Sequence, residues 1–129
     1  MRKTRDNAFA PFVKSDKAEE IFDIKKSHMT AEFMTMCYDT KPEWIDRIPA
    51  VVHKCDGTAR PQLVYPERNK KFYDVLDSYE KLTGIPVLLN TSFNGHGEPI
   101  IDSPIQAFVH LESGMIDVLV AEDFIYYKR

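Results

Sequence analysis

The residues best suited to chemistry follow directly on an apolar run. Residues 85–89 (IPVLL) lead into residues 90–94 (NTSFN), where small side chains offer hydroxyl and amide groups. Such a cluster is poor core material, but it suits the carboxyl end of a strand, where polar groups converge on a ligand. In an extended stretch Ser92 and Asn94 point the same way, so both can contact one phosphate or ribose. The segment therefore predicts part of an anion or nucleotide site, and an ordinary Asn-Gly turn at 94–95 is the alternative.

Three basic residues could supply the opposite charge. Arg60 comes shortly after the turn at 56–57 (DG), and an arginine at such a place can bind a phosphate through two hydrogen bonds at once. Lys3 and Arg5 alternate, so an extended amino terminus would turn both toward one anion. The competing interpretations are a solvated Arg60 and a frayed basic terminus. Together with the segment 90–94, the three cations predict a pocket for phosphate or a nucleotide.

Signals for metal or nucleophilic chemistry are weak. His53 and Cys55 lie close in sequence, but there is no Cys-x-x-Cys pair and the four histidines are scattered, so we predict no metal site. No catalytic triad can be read around Cys55. Glu98 could act as a general base, but a loop carboxylate that accepts hydrogen bonds from backbone amides is the simpler interpretation.

Composition restricts the class of protein. A chain of 129 residues, 43% of them hydrophobic, predicts a single domain spanning residues 1–129 with one sizeable core. A net charge of −3 without a long basic run argues against nucleic-acid binding. No apolar stretch reaches the length of a membrane span, so we expect no membrane association. Two cysteines are too few for a disulfide framework, so we expect a cytoplasmic location.

Short strands mixed with helices predict the scaffold. We expect helices at residues 16–24, 67–83 and 103–114, and a helical turn at 41–45. We expect strands at residues 9–13, 33–38, 50–53, 61–65, 87–90, 115–120 and 124–127, of which 50–53 and 61–65 flank the turn at 56–57. Over this length the mixture indicates an α/β or α+β fold, with a mixed twisted sheet and packed helices.

The apolar pattern also predicts which faces are buried. The helix at 67–83 carries an apolar stripe that we expect to face the core, formed by Phe72, Val75, Leu76, Tyr79 and Leu82. The near-continuous apolar strand at 87–90 is typical of a strand buried on both faces. Trp44 is expected in the core, and the last helix is expected to bury Ala107, Phe108 and Leu111.

Several motifs resemble those of one enzyme family. They are residues 9–11 (FAP), 53–62 (HKCDGTARPQ), 89–94 (LNTSFN), 97–100 (GEPI) and 116–120 (IDVLV). In this order, and over nearly the whole chain, they resemble the carboxy-terminal domain of the O-carbamoyltransferases of the nodulation and antibiotic-tailoring type. The resemblance implies a YrdC-like fold, here lacking its first elements.

The resemblance also implies a chemistry and the residues that perform it. ATP, accompanied by Mg²⁺ as substrate, reacts with carbamoyl phosphate to give carbamoyl-adenylate, and no tightly bound metal is expected in this chain. A YrdC-like Lys-x-Arg and Ser-x-Asn signature matches Lys3 with Arg5 and Ser92 with Asn94. We therefore expect Lys3, Arg5 and Arg60 to offset charge as catalytic residues. The residues expected to bind the substrate or nucleotide are Ser92, Asn94, Thr91, Asn90, Thr58 and His53.

The resemblance places transfer of the carbamoyl group to a hydroxyl acceptor in an amino-terminal domain, which would be a missing part of the protein or a partner subunit. A homodimer is a further expected partnership. The first alternative function is a non-catalytic ligand-binding or assembly module that keeps a degenerate YrdC-like fold. The second is a YrdC-like protein that binds RNA or nucleotide, against which the acidic balance argues.

Overall fold

Short strands and helices are interspersed along the chain. The computed structural model describes residues 9–25 and 29–128, so Lys3 and Arg5 lie outside the described residues. The strands are β1 (Ala10–Lys14), β2 (Tyr38–Asp39), β3 (Thr58–Ala59), β4 (Gln62–Val64), β5 (Val87–Asn90), β6 (Val118–Ala121) and β7 (Phe124–Tyr127). The helices are α1 (Ala18–Ile21), α2 (Pro42–Ile45), α3 (Lys70–Thr83) and α4 (Pro104–Glu112), with 3-10 turns at Ser15–Lys17 and Met29–Phe33. The predicted α+β class, with a mixed sheet and helices, is confirmed.

The contacts within the chain separate two units. The first unit extends to Thr91, and the second begins at Ser92. Each unit has its own cluster of buried apolar side chains. The expectation of a single domain over residues 1–129 stays a prediction.

A three-stranded mixed sheet organises the first unit. Its order is β4-β1-β5, with β1 parallel to β4 and antiparallel to β5. Phe12 lies opposite Gln62, and Ala10 lies opposite Asn90. Because of these directions, the start of β1, the start of β4 and the end of β5 meet at one end of the sheet, which we call the sheet end. Strands β2 and β3 form a separate antiparallel pair.

The main core lies on one face of β1. Side chains alternate along a strand, so Val13 points to this core while Phe12 and Lys14 point to the opposite face, where α3 packs. Trp44 is 3% exposed in this core, which confirms its prediction. The cluster consists of Val13, Ala18, Ile21, Phe22, Ile24, Ala31, Trp44, Ile48, Val51, Val52, Ala59, Leu63 and Val87.

Helix α3 covers only part of the sheet. It begins at Lys70 rather than at 67, because the side chain of Asn69 caps it by accepting a hydrogen bond from Phe72 N–H. Of the predicted apolar stripe, Leu76 is buried, whereas Phe72, Val75 and Leu82 are 53%, 53% and 86% exposed. The prediction of a buried stripe is therefore wrong for most of its members. Three short strands offer too narrow a surface to cover the whole stripe.

Several short elements also differ from their predictions. Residues 33–38 are not a strand: a 3-10 turn occupies Met29–Phe33, and β2 begins only at Tyr38. Residues 50–53 form no strand, and β3 at 58–59 pairs with β2 instead. The helix expected at 16–24 ends at Ile21, because Phe22 adopts an extended conformation and forms an antiparallel β-bridge with Thr40. These predictions failed because a short apolar run contains too few residues for its hydrophobic periodicity to distinguish a strand from a turn.

Strand β5 is where it was predicted, but it is not buried on both faces. Within the described residues it pairs only with β1, so it forms an edge of the sheet. Leu89 is 44% exposed as a result. An edge strand of this kind leaves part of its backbone and one of its faces accessible.

The second unit combines α4 with the hairpin of β6 and β7. Helix α4 starts as predicted, with Pro104 in its first turn and the Ser103 hydroxyl oxygen accepting from Gln106 N–H. Its buried side chains are Ala107, His110 and Leu111. Phe108 is 37% exposed and packs edge-on against Tyr126, so its predicted burial is wrong. The strand expected at 115–120 begins only at Val118.

A buried ammonium group joins the sheet of the first unit to α3. Lys14 is 4% exposed, and its Nζ lies 3.0 Å from Asp77 Oδ1 and 2.5 Å from Glu80 Oε2. Burial by itself lowers the pKa of Lys14, but hydrogen bonds to Glu80 and Asp77 outweigh it and raise that pKa above its ordinary value. Hydrogen bonds from Lys81 and Lys14 lower the pKa of Asp77.

Replacing Lys14 by alanine should lower the free energy of unfolding by about 3 kcal/mol, because two carboxylates lose their buried counter-charge. Urea denaturation followed by circular dichroism measures this. Lys81→Ala is the matched control: Lys81 also pairs with Asp77, at 2.6 Å, but its side chain is 75% exposed. Its loss should cost less than about 1 kcal/mol. Equal losses in the two variants would contradict the assignment of Lys14 as the buried link.

Acid should weaken the same link. Because the pKa of Asp77 is lowered in the folded state, its contribution is present above its ordinary value of 3.8 and is lost as pH falls below that value. The difference in stability between the wild-type chain and Lys14→Ala should therefore narrow below pH 3.8. Denaturation midpoints of both chains, measured from pH 7 downward, test this, and a constant difference would refute it.

Candidate functional site

The sheet end brings three predicted site residues to one side of the first unit. Asn90 is the last residue of β5, Thr91 follows it, and Arg60 lies two residues before the first residue of β4. The register of β1 with both neighbours places these positions at the same end of the sheet. Arg60 is exposed, and no described carboxylate of its own unit pairs with it. The sheet end therefore combines an available guanidinium with amide and hydroxyl groups.

A tight turn ahead of Arg60 orients Thr58 and His53. Asp56 Oδ1 accepts hydrogen bonds from the backbone N–H and the hydroxyl of Thr58, at 3.0 and 2.9 Å. The hydrogen bonds from Thr58, the backbone one first, lower the pKa of Asp56. His53 Nδ1 lies 3.0 Å from the same hydroxyl oxygen. Because the Thr58 hydrogen goes to Asp56, Nδ1 must donate, and His53 therefore presents Nε2 to its surroundings.

Asn90 connects the sheet end to a groove on the α3 side of the sheet. Its side-chain amide donates to Gln62 Oε1 at 2.6 Å, which links β5 to β4 across the central strand. Both residues line the groove, whose volume is about 570 Å³. Aromatic side chains, among them Phe12, Phe33 and Phe72, form much of the rest of its wall. An apolar groove with a few polar groups at its rim is the usual form of a small-molecule site.

The loop of residues 92–98 in the second unit, which we call the ligand loop, is tied together internally. The Ser92 hydroxyl donates to Asn94 Oδ1 in a short hydrogen bond. Asn94 Nδ2 donates to the carbonyl oxygens of Gly95 and Glu98, at 3.1 and 2.9 Å. Gly95 N–H donates to Glu98 Oε2 at 3.0 Å. The interpretation of Glu98 as a loop carboxylate that accepts from a backbone amide is confirmed.

Sequence reasoning missed His110, which contacts the ligand loop from α4. Its Nε2 lies 3.1 Å from Glu98 Oε2, and its Nδ1 lies 2.9 Å from the carbonyl oxygen of Gln106. The ring is buried and packs edge-on against Phe93, with centroids 5.8 Å apart. Its position in α4, three residues after Ala107, was the one available signal that it faces the interior of this unit.

The predicted site residues thus fall into three groups. His53 and Thr58 are in direct contact, and Ser92 and Asn94 are in direct contact. Arg60, Asn90 and Thr91 share the sheet end. Lys3 and Arg5 lie outside the described residues.

In residues 9–25 and 29–128, no three His, Cys, Asp or Glu side chains are grouped so that they could hold a metal ion. No helix in those ranges is both long and apolar enough to span a bilayer.

Comparison with known proteins identifies the family. The family model described as "Carbamoyltransferase C-terminus" matches residues 3–128, so the chain belongs to the family of carbamoyltransferase C-terminal domains. This confirms the resemblance inferred from the motifs.

Similar proteins include three nodulation proteins. Nodulation protein NolNO of Sinorhizobium fredii is 36% identical over 121 residues, which is 94% of this chain and 18% of that protein. Nodulation protein NolO of Bradyrhizobium diazoefficiens is 34% identical over 94% of this chain and 22% of its own length. Nodulation protein U of Sinorhizobium fredii is 39% identical over 92% of this chain and 20% of its own length. The chain therefore spans about a fifth of the length of these relatives.

Gly95→Ala should disrupt the ligand loop. A Cβ at this position would collide with the Glu98 carboxylate and would lie 2.7 Å from Met115 Cε. Both groups are ends of flexible side chains that can move aside, so the expected loss is that of the Glu98 hydrogen bond to Gly95 N–H, roughly 1 kcal/mol in the free energy of unfolding of the chain. His96→Ala, at the exposed neighbouring position, is the control and should cost under about 0.5 kcal/mol. If both variants unfold at the wild-type midpoint, the described packing of this loop is wrong.

Proposed function

We propose that this chain is the part of an O-carbamoyltransferase that binds ATP and carbamoyl phosphate and forms carbamoyl-adenylate. A further amino-terminal domain or a partner subunit would then transfer the carbamoyl group to a hydroxyl acceptor. In the proposed reaction one water and carbamoyl phosphate give carbamate and phosphate, and a carbamate oxygen then attacks the α-phosphorus of ATP while pyrophosphate leaves. The observation that carries the proposal is an exposed Arg60 at the sheet end, without a carboxylate partner among the described residues of its unit, in a chain that belongs to this family.

Electrostatics supports the placement of phosphates at the sheet end. Two polyanionic substrates must approach each other, so the site has to offset their charge and hold them in contact. A guanidinium without a protein carboxylate partner can give its hydrogen bonds to phosphate. Lys3 and Arg5 would add two positive charges, and Mg²⁺ would accompany ATP. No nucleophilic side chain is required, because the reaction depends on positioning and charge.

The fixed orientation of His53 supports a role in substrate contact. Because Nδ1 is held by Thr58, His53 Nε2 is left to accept or donate a hydrogen bond at the ligand. Thr58 itself stands two residues before Arg60. We therefore assign His53 and Thr58 to orientation of the phosphoryl or carbamoyl group beside the arginine.

The groove supports a place for the nucleotide base. It is lined by aromatic rings, and its rim carries the Asn90–Gln62 pair, whose remaining donors and acceptors suit the edge of a purine. Asn90 belongs both to the groove and to the sheet end, so a base in the groove would direct its phosphates toward Arg60. Phe72, half exposed on α3, would stack on such a base.

A second candidate function is an assembly module without catalysis. The observation that favours it is the apolar surface of α3, where Phe72, Val75 and Leu82 are more than half exposed. Exposed apolar residues at adjoining helical positions are typical of surfaces that meet another protein. A homodimer would be one such assembly.

Titration calorimetry with Mg-ATP and with carbamoyl phosphate separates the two candidates. Binding of both ligands, and pyrophosphate release when both are present, supports carbamoyl-adenylate formation. A properly folded chain that binds neither ligand supports the assembly module. Sedimentation of the same sample shows whether the chain associates with itself.

Arg60→Ala should weaken the affinity for carbamoyl phosphate by roughly 1.5–3 kcal/mol, as expected for the loss of a charge-assisted hydrogen bond. Calorimetry of the variant gives this value directly. Lys25→Ala removes the same charge from an exposed position and serves as the control, with no expected change in affinity. An unaltered dissociation constant in Arg60→Ala would remove Arg60 from the site.

A further inference from the structure

We propose that His110 is a positioning residue for the ligand loop: it holds residues 92–98 in their binding geometry through a proton that it shares with Glu98. The inference rests on the proposed function for the identity of the ligand. The geometry of the loop itself can be tested without any ligand.

The two contacts of the His110 ring require a shared proton. Nδ1 faces the carbonyl oxygen of Gln106, which can only accept, so Nδ1 carries a hydrogen. Nε2 faces Glu98 Oε2, 3.1 Å away, and a neutral ring with a hydrogen on Nδ1 has none left for this contact. A second proton must therefore lie between Nε2 and the carboxylate. The geometry corresponds to an imidazolium–carboxylate pair, with a hydrogen on both ring nitrogens.

Glu98 transmits this contact to the whole loop. Its Oε2, which His110 holds, also accepts the hydrogen bond from Gly95 N–H, and its carbonyl oxygen accepts from Asn94 Nδ2. Asn94 in turn accepts from the Ser92 hydroxyl. One buried ring on α4 is thus connected through a single glutamate to Asn94 and Ser92, which match the Ser-x-Asn signature. The Glu98 side chain is 52% exposed, so without His110 it would be free to turn toward water.

The first experiment observes the loop by nuclear magnetic resonance in the full 129-residue chain. Nitrogen-15 spectra of the His110 ring should show a hydrogen on both nitrogens, and the Gly95 amide should report its bond to Glu98. His110→Ala should shift the Gly95 amide resonance to an unbonded position. His110→Gln should retain it, because the glutamine amide can donate to Glu98 without a shared proton. Glu112→Gln, at an exposed position of the same helix, is the control and should leave the spectrum of the loop unchanged.

The second experiment measures affinity for Mg-ATP and carbamoyl phosphate in the same variants. His110→Ala should weaken binding by about 5- to 20-fold, the range expected for one lost charge-assisted bond that acts indirectly. His110→Gln should stay within about 3-fold of wild type, on the same scale. Rescue by glutamine separates positioning from a general loss of stability, because glutamine also loses the bond from Nδ1 to Gln106.

The outcomes distinguish this inference from the proposed function. If the wild-type chain binds neither ligand, the proposed function fails, and the Gly95 and ring resonances alone decide whether His110 positions the loop. An Nε2 without a hydrogen, or a Gly95 amide unmoved in His110→Ala, would overturn the inference. If His110→Ala does not fold, Glu98→Gln takes its place: it keeps an acceptor for Gly95, removes the charge that holds the proton, and should weaken binding as His110→Ala would.

Discussion

The contact between Lys14 and the carboxylates of α3 is the constraint on which the first unit depends. An ammonium group that is 4% exposed is tolerable only with counter-charges, and Asp77 and Glu80 supply them from one helix. Because strand residues alternate, a Lys14 directed at α3 also directs Phe12 to the same side and Val13 to the core. The contact therefore determines which face of β1 meets which layer. A slip of β1 by one residue would turn Val13 toward α3 and would place Phe12 and the charged Lys14 in the apolar core.

The register of β1 in turn assembles the sheet end. Strand β1 is parallel to β4 and antiparallel to β5. Arg60, which precedes β4, and Thr91, which follows β5, therefore both lie at the sheet end, although 31 positions separate them in sequence. Neither strand alone would bring them together. At the sheet end the hydrogen bond from Asn90 to Gln62 crosses β1, and it holds β4 and β5 in register with β1. The same strand register therefore stabilises the sheet and brings the predicted site residues of the first unit to one end of it.

Local signals predicted the elements that depend on local interactions. The start of α4 follows from Ser103 and Pro104, the end of α3 from Gly84 with its φ of 72°, and β5 and β7 from apolar runs between turns. The errors concern properties that distant residues determine. Whether the α3 stripe is buried depends on how many strands lie beneath it, and whether 50–53 becomes a strand depends on a partner that another segment supplies. For the same reason His110 escaped notice: its partner Glu98 is twelve residues away and belongs to a loop. The motif residues could be selected from sequence, but their mutual contacts could not.

The hydrogen bonds of the ligand loop engage the polar groups of its Ser-x-Asn motif, Ser92 and Asn94, within the loop itself. Asn94 uses both amide hydrogens on backbone carbonyls and its oxygen on Ser92, so donation to a phosphate would require it to leave one of these partners. An amide committed in this way holds backbone and hydroxyl groups of the loop in place. Two groups of the first unit differ from it: Arg60 is exposed without a carboxylate partner among the described residues of that unit, and the Thr58 contact leaves His53 Nε2 available. The first unit therefore presents side-chain groups that are free to bond a ligand, whereas the side chains of the ligand loop are already bonded to one another. Preorganisation raises affinity in addition to direct contacts, and in the proposed function this is how His110, which bonds only Glu98 and Gln106, would influence how tightly a ligand is held.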